Sequence, residues 1–177
     1  MRALKIGALV VPYLGAVVAA NLLVNHFGPS WSPVIAFFAV AAVLIFRDSF
    51  ADLVGQRWLA QVLQLSLIGA GALLTYLFNQ DAALIAKASV IAFAASEMTE
   101  QVFYLLMRGR PWMDRAPLSA LVGAAVDSVL FISIAFGFNF RLVFAQWCAK
   151  VAGAWLWARA IQTMKSRSEV RSLDALD

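Results

Sequence analysis

Five ionisable side chains interrupt long apolar stretches of the sequence: Lys87, Glu97, Glu100, Asp127 and Lys150. If those stretches cross a bilayer, each of these groups is costly at membrane depth and marks a cavity or a transport path. Counted at about 1.5 Å per residue, Glu97, Asp127 and Lys150 lie near the middle of their stretches. The predicted chemistry is recognition of a polar solute, with proton exchange as a second use of the same groups.

Two carboxylates and two aromatic rings share one helical face. Phe93, Glu97, Glu100 and Tyr104 follow the spacing i, i+4, i+7 and i+11. Such a face suits a flat, polar heterocycle, because aromatic rings stack on it and carboxylates accept hydrogen bonds from its N–H groups. A guanine-like edge would match one carboxylate in a bidentate manner. The alternative is structural: the carboxylates pair with one another and with Lys150 to hold helices together.

Other polar residues admit two interpretations. Asn21, near the end of the first apolar stretch, could contact a substrate or join two helices. Arg47 and Asp48 follow the second stretch and could form a gate, with interfacial ion pairs as the alternative. One histidine and one cysteine form no zinc set, so neither a metal nor a cofactor is predicted. The sequence also lacks the P-loop pattern GxxxxGK[ST], which predicts that the chain does not hydrolyse ATP.

The composition identifies the environment of these groups. Of the 177 residues, 63% are hydrophobic and 14% are charged, and the mean hydropathy is +0.81. Soluble domains carry roughly 25% charged residues, so a soluble globular protein is excluded. Six spans of about 20 residues would use most of the chain and leave no room for a further domain outside the membrane. We attribute the net charge of +4 to membrane orientation rather than to nucleic-acid binding.

Six apolar stretches bounded by turn signals predict an all-α fold, an integral membrane bundle of six transmembrane helices with short loops. The predicted spans are 5–24, 33–47, 59–78, 82–107, 118–138 and 140–161. Residues 47–58 are too polar to span the membrane and are predicted to lie at its interface. Residues 1–161 would thus form the transmembrane domain, and residues 162–177 a polar cytoplasmic tail.

Basic residues set the predicted orientation. With a cytoplasmic N-terminus, eleven basic residues fall on the inside and only Arg141 lies in an outside loop. Because cytoplasmic segments are enriched in Lys and Arg, both termini are predicted to be cytoplasmic. The eleven inside residues are Arg2, Lys5, Arg47, Arg57, Arg108, Arg110, Arg115, Arg159, Lys165, Arg167 and Arg171.

Two blocks of the sequence resemble a known family. The stretch 88–103, centred on Ser96-Glu97-Met98-Thr99-Glu100, is similar to the fourth-span motif of the queuosine-precursor transporter family, also called the vitamin-uptake-transporter family. The block 119–137 resembles the fifth span of that family even more closely. Supporting similarities are Ala20-Asn21, Arg47-Asp48 with Gly55, and Gln146 with Lys150. Many members carry Gln and Asp where this chain has Glu97 and Glu100.

The resemblance implies a carrier in the bacterial inner membrane that brings 7-cyano-7-deazaguanine or 7-aminomethyl-7-deazaguanine into the cytoplasm for tRNA queuosine synthesis. Glu97 would hold the donor edge of this heterocycle, and Asp127 with Lys150 would form a titratable pair. Glu100 and Asn21 would make further contacts. The resemblance adds Gln146 to the substrate-binding residues already named, which include Phe93 and Tyr104. The expected partners are the deazapurine and the lipid bilayer, not nucleic acid.

Several alternatives stay open at this point. The chain could be a vitamin-type binding subunit that works with an external energising partner, or an accessory membrane protein that transports nothing. An intramembrane enzyme using Glu97, Glu100 or Asp127 as acid and base is disfavoured, because no nucleophile or metal set accompanies them. Proton-coupled and facilitated transport are both compatible with the sequence, as are a monomer and a homo-oligomer.

Overall fold

A computed structural model of the chain describes residues 2–39, 57–109 and 112–174. The predicted gate residues Arg47 and Asp48 lie outside the described residues, as do most of the predicted interfacial segment 47–58 and the second half of the predicted second span.

The described residues form helices, and no strand occurs in the three described ranges. Three-residue 3-10 turns, Pro29–Trp31 and Gln80–Ala82, join the first two pairs of helices. The helices are α1 (Arg2–Phe27), α2 (helical over 32–39), α3 (Arg57–Phe78), α4 (Ala83–Leu106), α5 (Trp112–Phe136) and α6 (Phe140–Asp174). The predicted all-α bundle of six helices is confirmed.

Four of these helices are long and apolar enough to cross a membrane, over Val10–Phe27, Gln61–Phe78, Gln80–Leu106 and Leu118–Phe136. The sixth predicted span begins at Phe140, as expected, but α6 continues past Ile161 to Asp174. The sequence after Gly153 contains neither glycine nor proline, so nothing in it breaks the helix. Arg141, Gln146 and Lys150 lower the hydropathy of α6, which is not among the four apolar spans.

Glycine and asparagine close the turns at one end of the bundle, which is the outer end in the predicted orientation. Gly28 and Gly137 have φ angles of 80° and 85°, values that favour glycine, where α1 and α5 end. Asn139 caps α6, since its side-chain oxygen accepts from the backbone N–H groups of Arg141 and Leu142 at 3.1 and 3.2 Å. These residues end one helix and start the next within a few positions.

The helices pack side by side around a common centre. α1 contacts α3, α3 contacts α4, α4 contacts α5 and α5 contacts α6. α6 also meets α2, where the indole N–H of Trp157 donates to the carbonyl of Phe37 at 3.1 Å. At Gly153 the two backbones come so close that a Cβ atom would lie 2.9 Å from the same carbonyl oxygen. The close approach of α2 and α6 therefore depends on the missing side chain.

An apolar cluster lies near the outer end of the bundle. Val24, Ala88, Phe131, Ile132 and Val143, contributed by α1, α4, α5 and α6, are buried together there. Because this cluster is packed, the polar residues of the same helices are left to meet deeper in the bundle.

Candidate functional site

A cavity of about 250 Å³ lies at the centre of the bundle; α3 contributes only Ile68 to its wall, and each of the other helices presents one face to it. The residues from α1 recur at the spacing of a single helical face, and those from α2, α5 and α6 do the same. The polar and aromatic lining residues are Tyr13, Asn21, Ser32, Ser89, Phe93, Ser96, Glu97, Glu100, Asp127, Phe131, Gln146 and Lys150. Seven of the eight predicted substrate-binding residues thus line one cavity, and Tyr104 does not.

The α4 side of the cavity follows the predicted helical face, except that it includes Ser89 toward the outer end and does not include Tyr104 toward the inner end. Phe93, Glu97 and Glu100 line the cavity, and Glu97 is buried with 8% of its surface exposed. Tyr104 lies one turn beyond Glu100, the innermost α4 residue of the lining. Ser89, one turn before Phe93, lines the cavity instead. Three of the four residues of the predicted face thus line the cavity, which ends before it reaches Tyr104.

α4 and α5 are held together directly behind this wall. The hydroxyl of Ser96 donates to the carbonyl of Gly123 at 2.9 Å. A Cβ atom at Gly123 would lie 3.2 Å from the Ser96 hydroxyl oxygen and 3.4 Å from Cβ of Glu100. This contact fixes the carboxylates of α4 relative to Asp127, which lies on the next turn of α5.

Asp127 of α5 and Lys150 of α6 form an ion pair inside the cavity. Their side chains are 16% and 15% exposed, so each charge is largely removed from solvent and neutralised by the other. The predicted pair is thus in contact, and its titration and its part in substrate binding stay predictions.

Asn21 joins two helices, as one of its two interpretations predicts, and substrate contact stays a prediction. It lines the cavity, and its amide nitrogen donates to the Thr75 hydroxyl of α3 at 3.3 Å. Thr75 in turn donates to the carbonyl of Gly71 at 2.8 Å. Asn21 therefore ties α1 to α3 from a position in the cavity wall.

The deep end of the cavity is formed in part by Tyr13 of α1. Its hydroxyl faces Gln64 of α3 and interacts electrostatically with Glu97 of α4. All three side chains are buried. The sequence interpretation did not include Tyr13, although it lies two turns from Asn21 on the same face of α1.

Two buried polar atoms of the lining have no hydrogen-bond partner among the described residues: Oε1 of Gln146 and Oγ of Ser32. Gln146 is 3% exposed and Ser32 is 1% exposed. Buried polar atoms are nearly always paired, so unpaired ones in a cavity wall are available to a ligand. Ser32 had no signal in the sequence, because its burial depends on how α2 packs against distant helices.

The lining residues lie at different depths, measured along each helix from its outer end. Asn21, Ser89 and Gln146 each lie six residues from the outer end of their helix, a depth of about 9 Å. Lys150 is one turn deeper than Gln146, at about 15 Å. Glu97 lies fourteen residues after Ala83, at about 21 Å, because α4 starts at Ala83. Glu97 is thus about 6 Å deeper than Lys150 and lies about 4 Å past the middle of α4.

A family comparison adds an independent observation to this geometry. The sequence model of a family described as "putative vitamin uptake transporter" matches residues 6–164, which include every residue that lines the cavity. The chain belongs to the vitamin uptake transporter family. This vitamin uptake transporter homologue is a multi-pass membrane protein, and the resemblance noted in its fourth and fifth spans is confirmed. Searches of curated proteins and of solved structures find no match to it.

Proposed function

We propose that the protein imports a queuosine precursor, 7-cyano-7-deazaguanine or 7-aminomethyl-7-deazaguanine, from outside the cell into the bacterial cytoplasm. The observation that carries this proposal is the meeting of a buried carboxylate, Glu97, and an aromatic ring, Phe93, in one central cavity. It agrees with the family of the chain, whose description is a transporter rather than an enzyme.

Glu97 and Phe93 have the chemistry that a guanine-like base requires. The adjacent ring N–H and exocyclic amine of such a base donate two parallel hydrogen bonds to one carboxylate. The ring of Phe93, one turn toward the outer end, offers an apolar surface for the face of the heterocycle. The volume of about 250 Å³ is close to the lower end of the range for small-molecule sites, roughly 300–1,000 Å³, and suits a single fused base.

The Asp127–Lys150 pair gives the cavity a group that can respond to the substrate. A bound ligand that donates to Asp127, or a proton that neutralises it, would separate the two charges and change how α5 and α6 are held. Transport coupled to a proton and facilitated diffusion followed by metabolic trapping both use this step. Each requires only that the pair open and close once for each substrate molecule.

Uptake of a radiolabelled deazaguanine by cells that lack their own carrier tests the proposal. The wild-type chain should restore uptake, and Glu97→Ala should reduce it at least about tenfold, since a charge-assisted hydrogen bond contributes about 1.5–3 kcal/mol. Met98→Ala is the matched control, because Met98 is the next residue of α4 and is 70% exposed on the outside of the bundle. Protein levels are compared by immunoblot.

Each outcome of this assay decides something. An inactive wild type at normal protein level would exclude deazaguanine import. Normal uptake by Glu97→Ala would remove Glu97 from the site. In a competition panel, block of uptake by a vitamin at lower concentration than unlabelled deazaguanine would favour the vitamin-type alternative. Conversion of a substrate by detergent-solubilised protein would favour an enzyme.

A further inference from the structure

We propose that Tyr13 is a positioning residue for substrate recognition, which holds the Glu97 carboxylate and the Phe93 ring in the orientation in which they meet the base. The inference rests on the proposed function and extends it to a residue of α1 that has no part in it so far. Gln64 and the contact between α1 and α3 hold Tyr13 in turn.

Three buried polar side chains lie at one depth where α1, α3 and α4 contact one another. Tyr13, Gln64 and Glu97 are each fourteen residues from the outer end of their helix, at about 21 Å. The Tyr13 hydroxyl lies against Gln64 and interacts electrostatically with Glu97. Tyr13 therefore connects the carboxylate of α4 to the neighbouring helix α3.

The ring of Tyr13 supports the other group that the proposed function uses. Tyr13 and Ile68 of α3 are buried together, and Phe93 of α4 packs against this pair. Tyr13 and Phe93 both line the cavity as well. One side chain thus lies beside both substrate-binding groups of α4, with its hydroxyl near Glu97 and its ring in the cluster that supports Phe93.

Two contacts fix the position of α1 along α3 just outward of Tyr13. One turn away, a Cβ atom at Gly71 would lie only 2.7 Å from Cγ1 of Val17, so the two helices are in close contact there. On the next turn, the amide of Asn21 donates to the Thr75 hydroxyl at 3.3 Å. Tyr13 is therefore presented to α4 by a fixed pair of helices.

The orientation of Glu97 decides how well it accepts two parallel hydrogen bonds from a base. In a buried site, neighbouring dipoles replace water in orienting a carboxylate, and the O–H group of Tyr13 is one such dipole. Without this hydroxyl the carboxylate is free to rotate, which weakens the paired contact with the ring N–H and the exocyclic amine. Tyr13→Phe removes the hydroxyl and keeps the ring that packs beside Phe93.

A binding competition in detergent tests this role of the hydroxyl. Unlabelled deazaguanine and the same base without its exocyclic amine each compete with radiolabelled deazaguanine for the purified protein. The wild type should bind the base with the amine about tenfold more tightly, because that base donates one more charge-assisted hydrogen bond to Glu97. In Tyr13→Phe this affinity ratio should fall by about threefold, because the misoriented carboxylate gains less from the second donor.

Tyr76→Phe is the matched control, because Tyr76 belongs to α3, is 44% exposed and is not part of the cavity wall. Its affinity ratio should equal that of the wild type. The ratio is measured within one variant, so a smaller folded fraction does not change it. A purely structural role of Tyr13 would therefore leave the ratio of Tyr13→Phe at the wild-type value, and that result would overturn the proposal.

Gln64→Met provides a second variant, since it removes the amide that lies against the Tyr13 hydroxyl and keeps a side chain of similar size. Its ratio should fall less than that of Tyr13→Phe, and it decides the question if Tyr13→Phe does not fold. Equal binding of the two bases by the wild type would overturn the positioning role and leave deazaguanine import intact. Binding of neither base by the wild type would overturn the proposed function, and the role of Tyr13 with it.

Discussion

Asp127 and Lys150 are the two residues in the cavity whose charges depend on each other most directly. Either side chain alone would be a buried charge without its counterion, which is far less stable than the pair. Gln146 and Ser32 differ, because their unpaired atoms are neutral and cost less to keep. The ion pair is thus satisfied within the protein, whereas the unpaired atoms of Gln146 and Ser32 are available to a ligand.

Breaking the ion pair should therefore destabilise the protein unless both charges are removed. Asp127→Asn and Lys150→Met are each expected to lower the free energy of unfolding by about 3 kcal/mol. The double variant should be more stable than either single one. Thermal unfolding of the four proteins in detergent gives the coupling energy of a double-mutant cycle. Additive losses would show that the pair contributes nothing to stability.

Seven of the twelve polar and aromatic residues of the cavity wall could be predicted, because ionisable and amide groups are conspicuous in apolar helices. Glu97, Asp127 and Lys150 were identified in this way, and the stripe on α4 needed only the helical period. Ser32 and Tyr13 could not be identified with equal certainty, since serine and tyrosine are common in membrane helices. Their burial follows from the packing of α2 and α1, which one sequence does not reveal.

At the scale of helices, small residues decide where backbones approach. Gly153 lies against the Phe37 backbone of α2, whereas Gly69 of α3 has no atom near the place where a Cβ would be. Both are glycines inside long helices, so their sequence context is similar. Their environments differ, because Gly153 is in close contact with a neighbouring backbone and Gly69 is not.

This difference predicts opposite effects of the same substitution. Gly153→Ala should destabilise the protein by about 1–3 kcal/mol, because the added methyl group meets a backbone oxygen that cannot move alone. Gly69→Ala should leave stability unchanged or raise it by about 0.5–1 kcal/mol through the higher helix propensity of alanine. Unfolding midpoints in detergent measure both. Equal midpoints for the two variants would contradict the close packing of α2 and α6.

The helices themselves were largely predictable, since length and hydropathy are enough to locate a membrane span. The predicted starts of spans four and six fall within a residue of the observed helices at Ala83 and Phe140. The extension of α6 to Asp174 was not predicted, because polar residues end a span without ending a helix. Hydropathy predicts where a helix leaves the membrane, whereas glycine and proline predict where the helix itself ends.

The described helices form a ring around one central cavity, and polar side chains line part of its wall. Its predicted orientation in the membrane rests on the basic residues, which cluster at the end away from the turns at Gly28 and Gly137. In that orientation the uncharged residues Asn21, Ser89 and Gln146 lie toward the outside of the cell, and Glu97 lies nearer the cytoplasm. A substrate would then meet Gln146 before it meets the carboxylate.

Cysteine labelling tests this orientation. After the single native cysteine is removed by Cys148→Ser, a cysteine is introduced at Gln80, in the α3–α4 turn, or at Gly109, after α4. A membrane-impermeant maleimide should label Gln80→Cys in intact spheroplasts, and Gly109→Cys only after they are permeabilised. The reverse pattern would mean that the chain has the opposite orientation.

The turns at the outer end are very short: Gly28 to Trp31, Asn79 to Ala82, and residues 137–139. A specific protein interface buries about 800 Å² on each partner. Three turns of this length, separated by helix ends and bordered by lipid, offer an antibody or a phage little continuous surface to hold. In the predicted orientation, the protein is therefore nearly concealed from the outside of the cell that it supplies.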